Sequence, residues 1–317
     1  MTTEVRAPSI PIYLAGEFTE TANTLEVRNP ADGSLVGTTF QAGADELERA
    51  TVAAVDAFEH TKRMASFERR DVLAHVAACI ERDADELSVL LSRESGKPIR
   101  DARGEVARGA LTFRIAGEEA TRINGEWLPL DWSAANRGRH GIVRRYAIGP
   151  IAGISPFNFP LNLAAHKVAP AIAAGCSIVL KPPSVDPLIM LRIAEYIDET
   201  DLPKGAVSIL PMDRPTGDRM VSDDRFKLLS FTGLPDSRLS SSVSSSASSV
   251  IRSAMWASAS RRSKLARRRV CSKASTAATV ARSSSSGPAW KVVATSSSVA
   301  GLRTSSGVPA STNSPAR

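Results

Sequence analysis

Four short segments carry side chains suited to catalysis or ligand binding, and each lies where an apolar strand is expected to end. The first is Ser155-Pro156-Phe157-Asn158-Phe159-Pro160. A side-chain amide at Asn158 can donate to an oxyanion developing on a substrate carbonyl. An asparagine in a proline-bounded turn serves equally well as a helix cap. In the second, Lys181 follows a buried strand, is locked in place by Pro182 and Pro183, and precedes Ser184. An ammonium group there suits ribose hydroxyls, or simply solvent. The third, residues 211–217, ends in Gly217, which either admits a ligand close to the backbone or starts a helix. The fourth, Phe231-Thr232-Gly233, reads as a small-residue turn opening a helix whose N-terminus could receive a pyrophosphate.

These segments need a frame, and the apolar periodicity supplies one. Strand-length apolar runs at 151–155, 177–181, 207–210 and 227–231 alternate with helical patterns at 161–174 and 187–200. Short strands separated by helices predict a doubly wound, Rossmann-like parallel sheet, with ligands at the strands' carboxyl ends. Upstream, short strands are expected at 12–14 and 25–27, with Asn29-Pro30-Ala31-Asp32-Gly33 as a turn. A helix is expected to open at Asp45, with Glu48 completing its cap and Leu47, Thr51, Val55 and Phe58 as its buried stripe. Further helices are expected at 66–82, from Asp85 to the Gly96-Lys97-Pro98 stop, and at 102–120. Strand-like pieces at 126–130 and 142–148 predict a protruding ribbon.

Composition divides the chain sharply. Residues 1–236 carry 27 basic and 33 acidic side chains, a net charge of −6. The last 81 residues contain no Asp or Glu, 13 Lys or Arg and 26 Ser. The longest apolar stretch, 168–180, has 13 residues and includes Pro and Gly, short of the roughly 20 that span a bilayer. The start has no basic-then-apolar leader pattern. Three scattered cysteines, Cys79, Cys176 and Cys271, fit a reduced, cytoplasmic setting. The four histidines form no ligand spacing among themselves, so no metal is expected.

Taken together and in order, the motifs resemble the NAD(P)-dependent aldehyde dehydrogenase superfamily over about residues 10–236. The matching runs are Gly149-Pro150, 156–160, 167–175, Lys181-Pro182, Pro187, Leu202-Pro203-Lys204-Gly205 and 230–233, with 29–33 and 94–98 upstream. The resemblance implies an oxidation of an aldehyde to a carboxylic acid, with Asn158 as the oxyanion-hole amide. It implies cofactor contacts at Ser155, Pro156, Phe157, Lys181, Phe231, Thr232 and Gly233, with Lys181 on the adenosine ribose, and Gly217 is counted with them because its small size admits a ligand. Ser184 stands where many members carry a Glu that repels a 2′-phosphate, so NADP is open beside NAD. The implied division is a helical part at 1–123, an oligomerisation ribbon at 124–148, a cofactor-binding region at 149–236 and a tail at 237–317. A small-molecule aldehyde and a homo-oligomer are implied for the intact form, and neither membrane nor nucleic acid.

The family's chemistry requires a Cys thiolate that attacks the aldehyde, then a Glu that activates water. Both belong downstream of the Thr-Gly turn. Here no Glu follows Glu199, and Cys271 stands in an Arg-rich run without the family's surrounding residues. The tail reads as disordered and as the product of a shifted reading frame at about codons 233–238, which makes this chain inactive. The alternative is a non-enzymatic, truncated nucleotide-binding module whose basic tail binds acidic partners electrostatically.

Overall fold

A computed structural model describes residues 8–233, 276–282 and 290–294. The chain opens with an antiparallel pair, β1 (Ile12–Leu14) and β2 (Glu17–Thr19), followed by a second pair, β3 (Thr24–Arg28) and β4 (Leu35–Phe40). Four helices follow: α1 (Ala44–Thr61), α2 (Ser66–Arg82), α3 (Ala84–Ser95) and α4 (Ile99–Ala120). The ribbon is β5 (Glu126–Pro129) paired antiparallel with β6 (His140–Val143). Then come β7 (Ile151–Ile154), α5 (Pro160–Ala173), β8 (Ile178–Lys181), α6 (Leu188–Asp198), β9 (Val207–Ile209), α7 (Arg214–Ser222) and β10 (Leu228–Gly233).

One sheet organises these elements. Its centre, β10-β7-β8-β9, is parallel throughout, and β1-β2 continue it antiparallel beyond β9. The period-2 alternation of strand side chains feeds two cores. Ile178 and Leu180 of β8 enter the core formed with α2 to α6, whereas Val179 enters the core under α1 and α7. Burial on both faces is why these strands read as continuous apolar runs. The expected doubly wound class is therefore what forms. Gly109 lets α4 lie against α5, since a Cβ there would stand 3.0 Å from Leu161 Cγ.

Three local expectations are corrected. Helix α1 starts one residue early, and Glu46 rather than Glu48 reaches back, its Oε2 accepting from the Gly43 N–H at 2.8 Å. Glu48 instead pairs with Arg225. The buried stripe of α1 is Leu47, Ala50, Thr51, Ala54, Ala57 and Thr61, while Val55 is exposed. Small alanines let this helix sit close to the sheet, which a search for large apolar residues overlooks. Helix α4 begins at Ile99, directly after Pro98, three residues before the expected start.

Phe231-Thr232-Gly233 is not a turn. These residues complete β10, where Phe231 pairs with Ile154. Beyond them, β11 (Thr276–Arg282) pairs antiparallel with β10, and β12 (Trp290–Ala294) with β11. Those two segments depart from the disorder expected of 237–317. Both are short runs containing β-branched residues, beside an edge that offers unpaired backbone groups. The rest of that stretch, with Cys271, lies outside the described residues. Among the described residues no helix is long and apolar enough to cross a membrane.

Candidate cofactor site

The carboxyl ends of β7, β8, β9 and β10 bring most of the sequence-selected residues to one edge. Ser155, directly after β7, donates its N–H to the Lys181 carbonyl at 3.2 Å. Its hydroxyl is buried and has no hydrogen-bond partner among the described residues. Such a group usually has a partner.

Lys181 ends β8, and its aliphatic stem crosses the first turn of α7. A Cβ on Gly217 would stand 3.1 Å from Lys181 Cδ and 3.2 Å from Cε. Gly217 therefore makes the cradle in which the lysine lies. Burial pulls the Lys181 ammonium below its ordinary range, and the nearby Asp213 carboxylate opposes that shift. Asp213 caps α7, its Oδ1 accepting from the Thr216 N–H at 2.9 Å. That bond, with Lys181 adding its charge, holds the Asp213 carboxyl below its ordinary value. Ser184 is exposed in the loop that leaves β8.

The loop after β7 is held from α3 and α4. Lys97 donates to the Asn158 carbonyl at 3.3 Å and pairs with the fully buried Glu105. The Phe159 ring has Lys97 and Arg108 each 4.9 Å from its centroid. Pro156 is half-buried, whereas Phe157 and Asn158 are exposed. No described cysteine faces Asn158: Cys79 and Cys176 are both buried in the helical core. Thr232 is buried and accepts from Lys167 Nζ at 2.7 Å. Burial lowers the Lys167 amine to about 8.

Sequence reasoning missed a set of buried charges beneath this edge. Glu105 Oε1 accepts from the N–H groups of Leu161 and Asn162, at 3.0 and 3.1 Å, in the first turn of α5. In α6, Glu94 Oε2 accepts from the Leu188 N–H at 2.9 Å and its Oε1 from the Ile189 N–H at 3.0 Å. Burial and the Asp186 charge raise the Glu94 carboxyl well above its ordinary value. Asp186 is buried, with Oδ1 unpartnered. Its carboxyl is raised to about 8, chiefly by burial. The available signal was a charge on an apolar stripe: Glu105 lies among Ala102, Val106, Gly109 and Phe113 on the buried side of α4.

These carboxylates decide what the helix ends can accept. A helix N-terminus favours an anion, but α5, α6 and α7 already present theirs to Glu105, Glu94 and Asp213. A phosphate finds none of the three open. The expected pyrophosphate seat, a helix opened by Phe231-Thr232-Gly233, falls beyond Gly233 and outside the described residues.

A parallel sheet wrapped by helices on both faces, with polar side chains gathered at the strands' carboxyl ends, defines the doubly wound nucleotide-binding class. Comparison with known proteins narrows it. The aldehyde dehydrogenase family matches residues 18–255, and the chain belongs to that family. It is 36% identical over 236 residues to the 3-sulfolactaldehyde dehydrogenase of Priestia aryabhattai, covering 74% of this chain and 49% of that protein. Aldehyde dehydrogenase 21 from Physcomitrella patens, solved with the reaction product succinate, superposes with a TM-score of 0.71 at 45% identity. That match covers 73% of this chain and 48% of the other. The NADP-dependent glyceraldehyde-3-phosphate dehydrogenase from Bacillus halodurans C-125, complexed with NADP, gives a TM-score of 0.68 at 31% identity, covering 72% and 48%. The chain thus spans about half the length of the relatives it matches.

Proposed function

We propose that this chain forms the adenosine-binding side of an aldehyde dehydrogenase's NAD(P) site and does not itself oxidise aldehydes. The observation that carries the reading is the Ser155–Lys181–Gly217 edge: an unpartnered buried hydroxyl beside a lysine cradled on a glycine. Lys181 would donate to ribose hydroxyls, Ser155 would fill its open hydrogen bond, and Pro156 and Phe157 would line the loop. Thr232, with Phe231 and Gly233, would close the site at β10. When bound, the nicotinamide accepts a hydride from the oxidised carbon. In a complete site the Asn158 amide would stabilise the oxyanion.

Ser184 brings no charge against a 2′-phosphate, so NADP is accepted beside NAD. Inactivity follows from the absence of any Glu after Glu199 and from the burial of Cys79 and Cys176. A shifted reading frame after about codon 233 accounts for that stretch. The exposed Trp127, Ile142 and Tyr146 around the ribbon support a homo-oligomer for the intact form. A small aldehyde is its expected substrate and the cytoplasm its expected place.

The test is a fluorescence titration of NADH and NADPH into the full chain and into Lys181→Ala. Both cofactors should bind the wild type, and the variant should bind about tenfold more weakly, the loss of one charged hydrogen bond. With NAD(P)+ and an aldehyde, no reduced cofactor should form. Equal binding by the two proteins would remove Lys181 from the site, and turnover would refute inactivity.

A further inference from the structure

A second constellation lies on the helical side of the molecule, away from the strand ends. His75 and Cys79 are four residues apart on α2 and so share one face of the helix. Glu199, the residue that ends α6, meets them there. His75 Nε2 is 3.0 Å from Glu199 Oε2 and 3.4 Å from Cys79 Sγ, and Cys79 Sγ is 3.8 Å from Glu199 Oε2. Reading the histidines only against one another misses this His-x-x-x-Cys pair.

The triangle has the dimensions of a coordination shell. Zinc bonds of about 2.3 Å to sulfur and about 2.0–2.1 Å to nitrogen and oxygen place tetrahedral ligand atoms roughly 3.3–3.6 Å apart. The three donor atoms stand 3.0, 3.4 and 3.8 Å apart, within a few tenths of an ångström of those separations, with both helices packed in place. His75 and Glu199 also line an open cavity of about 510 Å³, together with Glu68, Asp71 and Asp201. Three carboxylates beside the mouth favour a cation, and the open side leaves room for a water as fourth ligand. The donor set of imidazole, thiolate and carboxylate matches the borderline-soft preference of zinc.

We propose that His75, Cys79 and Glu199 bind one zinc ion, which staples α2 to the end of α6. Binding is a simple exchange: Zn²⁺ takes the place of the Cys79 thiol proton, which leaves to solvent. Neutral His75 coordinates through Nε2 and keeps its proton on Nδ1. No electrons move. Because only the folded chain brings these residues together, the metal stabilises the fold by mass action. The site is independent of cofactor binding at the strand ends.

The test uses the metal-free full chain, titrated with zinc by calorimetry and with cobalt(II) by absorbance. One equivalent should bind, with a thiolate-to-cobalt charge-transfer band and a raised melting temperature. Cys79→Ala should abolish the band and weaken zinc by more than about tenfold, given that even supporting residues around metals are worth about 10–100-fold. Glu199→Gln, at a half-exposed side chain, tests the site without disturbing the core and should also weaken zinc. Cys271→Ser should change nothing. Uptake unaffected by Cys79→Ala and Glu199→Gln, or lost on Cys271→Ser, would overturn the proposal, as would no uptake at all.

Discussion

Burial acts on single charges here in two ways, and Lys181 and Asp186 illustrate them. Lys181 loses water, which lowers its ammonium from the ordinary range, and the Asp213 charge opposes that shift. Asp186 loses water and leaves an oxygen unpartnered, and its carboxyl rises from an ordinary 3.8 to about 8. The folded chain therefore holds a proton that the unfolded chain releases above the ordinary carboxylate range. Stability from this residue is complete below about pH 4 and is lost as pH climbs to about 8. Asp186→Asn keeps the shape and removes the charge. It should be more stable than the wild type by on the order of 2 kcal/mol near pH 7.5, and about equal near pH 4.5. Urea unfolding at both pH values checks this, and a variant less stable at the higher pH would contradict it.

Elements were the most legible level, and their ends the least. Helix α2 occupies the residues its apolar spacing indicates, 66–82, and Gly96 ends α3 in a left-handed conformation with φ 70°. The parallel strands announced themselves because both faces are covered. The partners that cap α5 and α6 were hidden, because Glu105 and Glu94 lie 56 and 94 positions from the amides they serve. Local rules see only caps supplied nearby, and they misplaced even that of α1 by two residues. Phe231-Thr232-Gly233 read as a turn because small residues suit either a turn or the end of a strand, and pairing with β7 selects the strand. Glu105→Ala leaves two buried amides and Lys97 without their acceptor, so it should destabilise the chain by about 3–5 kcal/mol. A loss below about 1 kcal/mol in denaturant unfolding would show that water replaces the carboxylate.

At the scale of the whole molecule, the proposed cofactor site divides into two parts. The edge that would hold adenosine is built from β7, β8 and α7, all within the described residues. The seat for the pyrophosphate is not among α5, α6 and α7, whose first turns are taken by carboxylates. On the proposed reading, cofactor recognition by the described residues stops at the adenosine end. The chain spans 48% of the aldehyde dehydrogenase 21 structure it resembles, consistent with one part of a larger site. The most direct test is an equilibrium titration of the full chain with NAD+ and with AMP under identical conditions. The two should bind within about threefold of each other, because none of the described helices offers the rest of the dinucleotide an open first turn. NAD+ binding about a hundredfold tighter than AMP would mean that the chain builds a pyrophosphate seat after all, and binding of neither would remove the site.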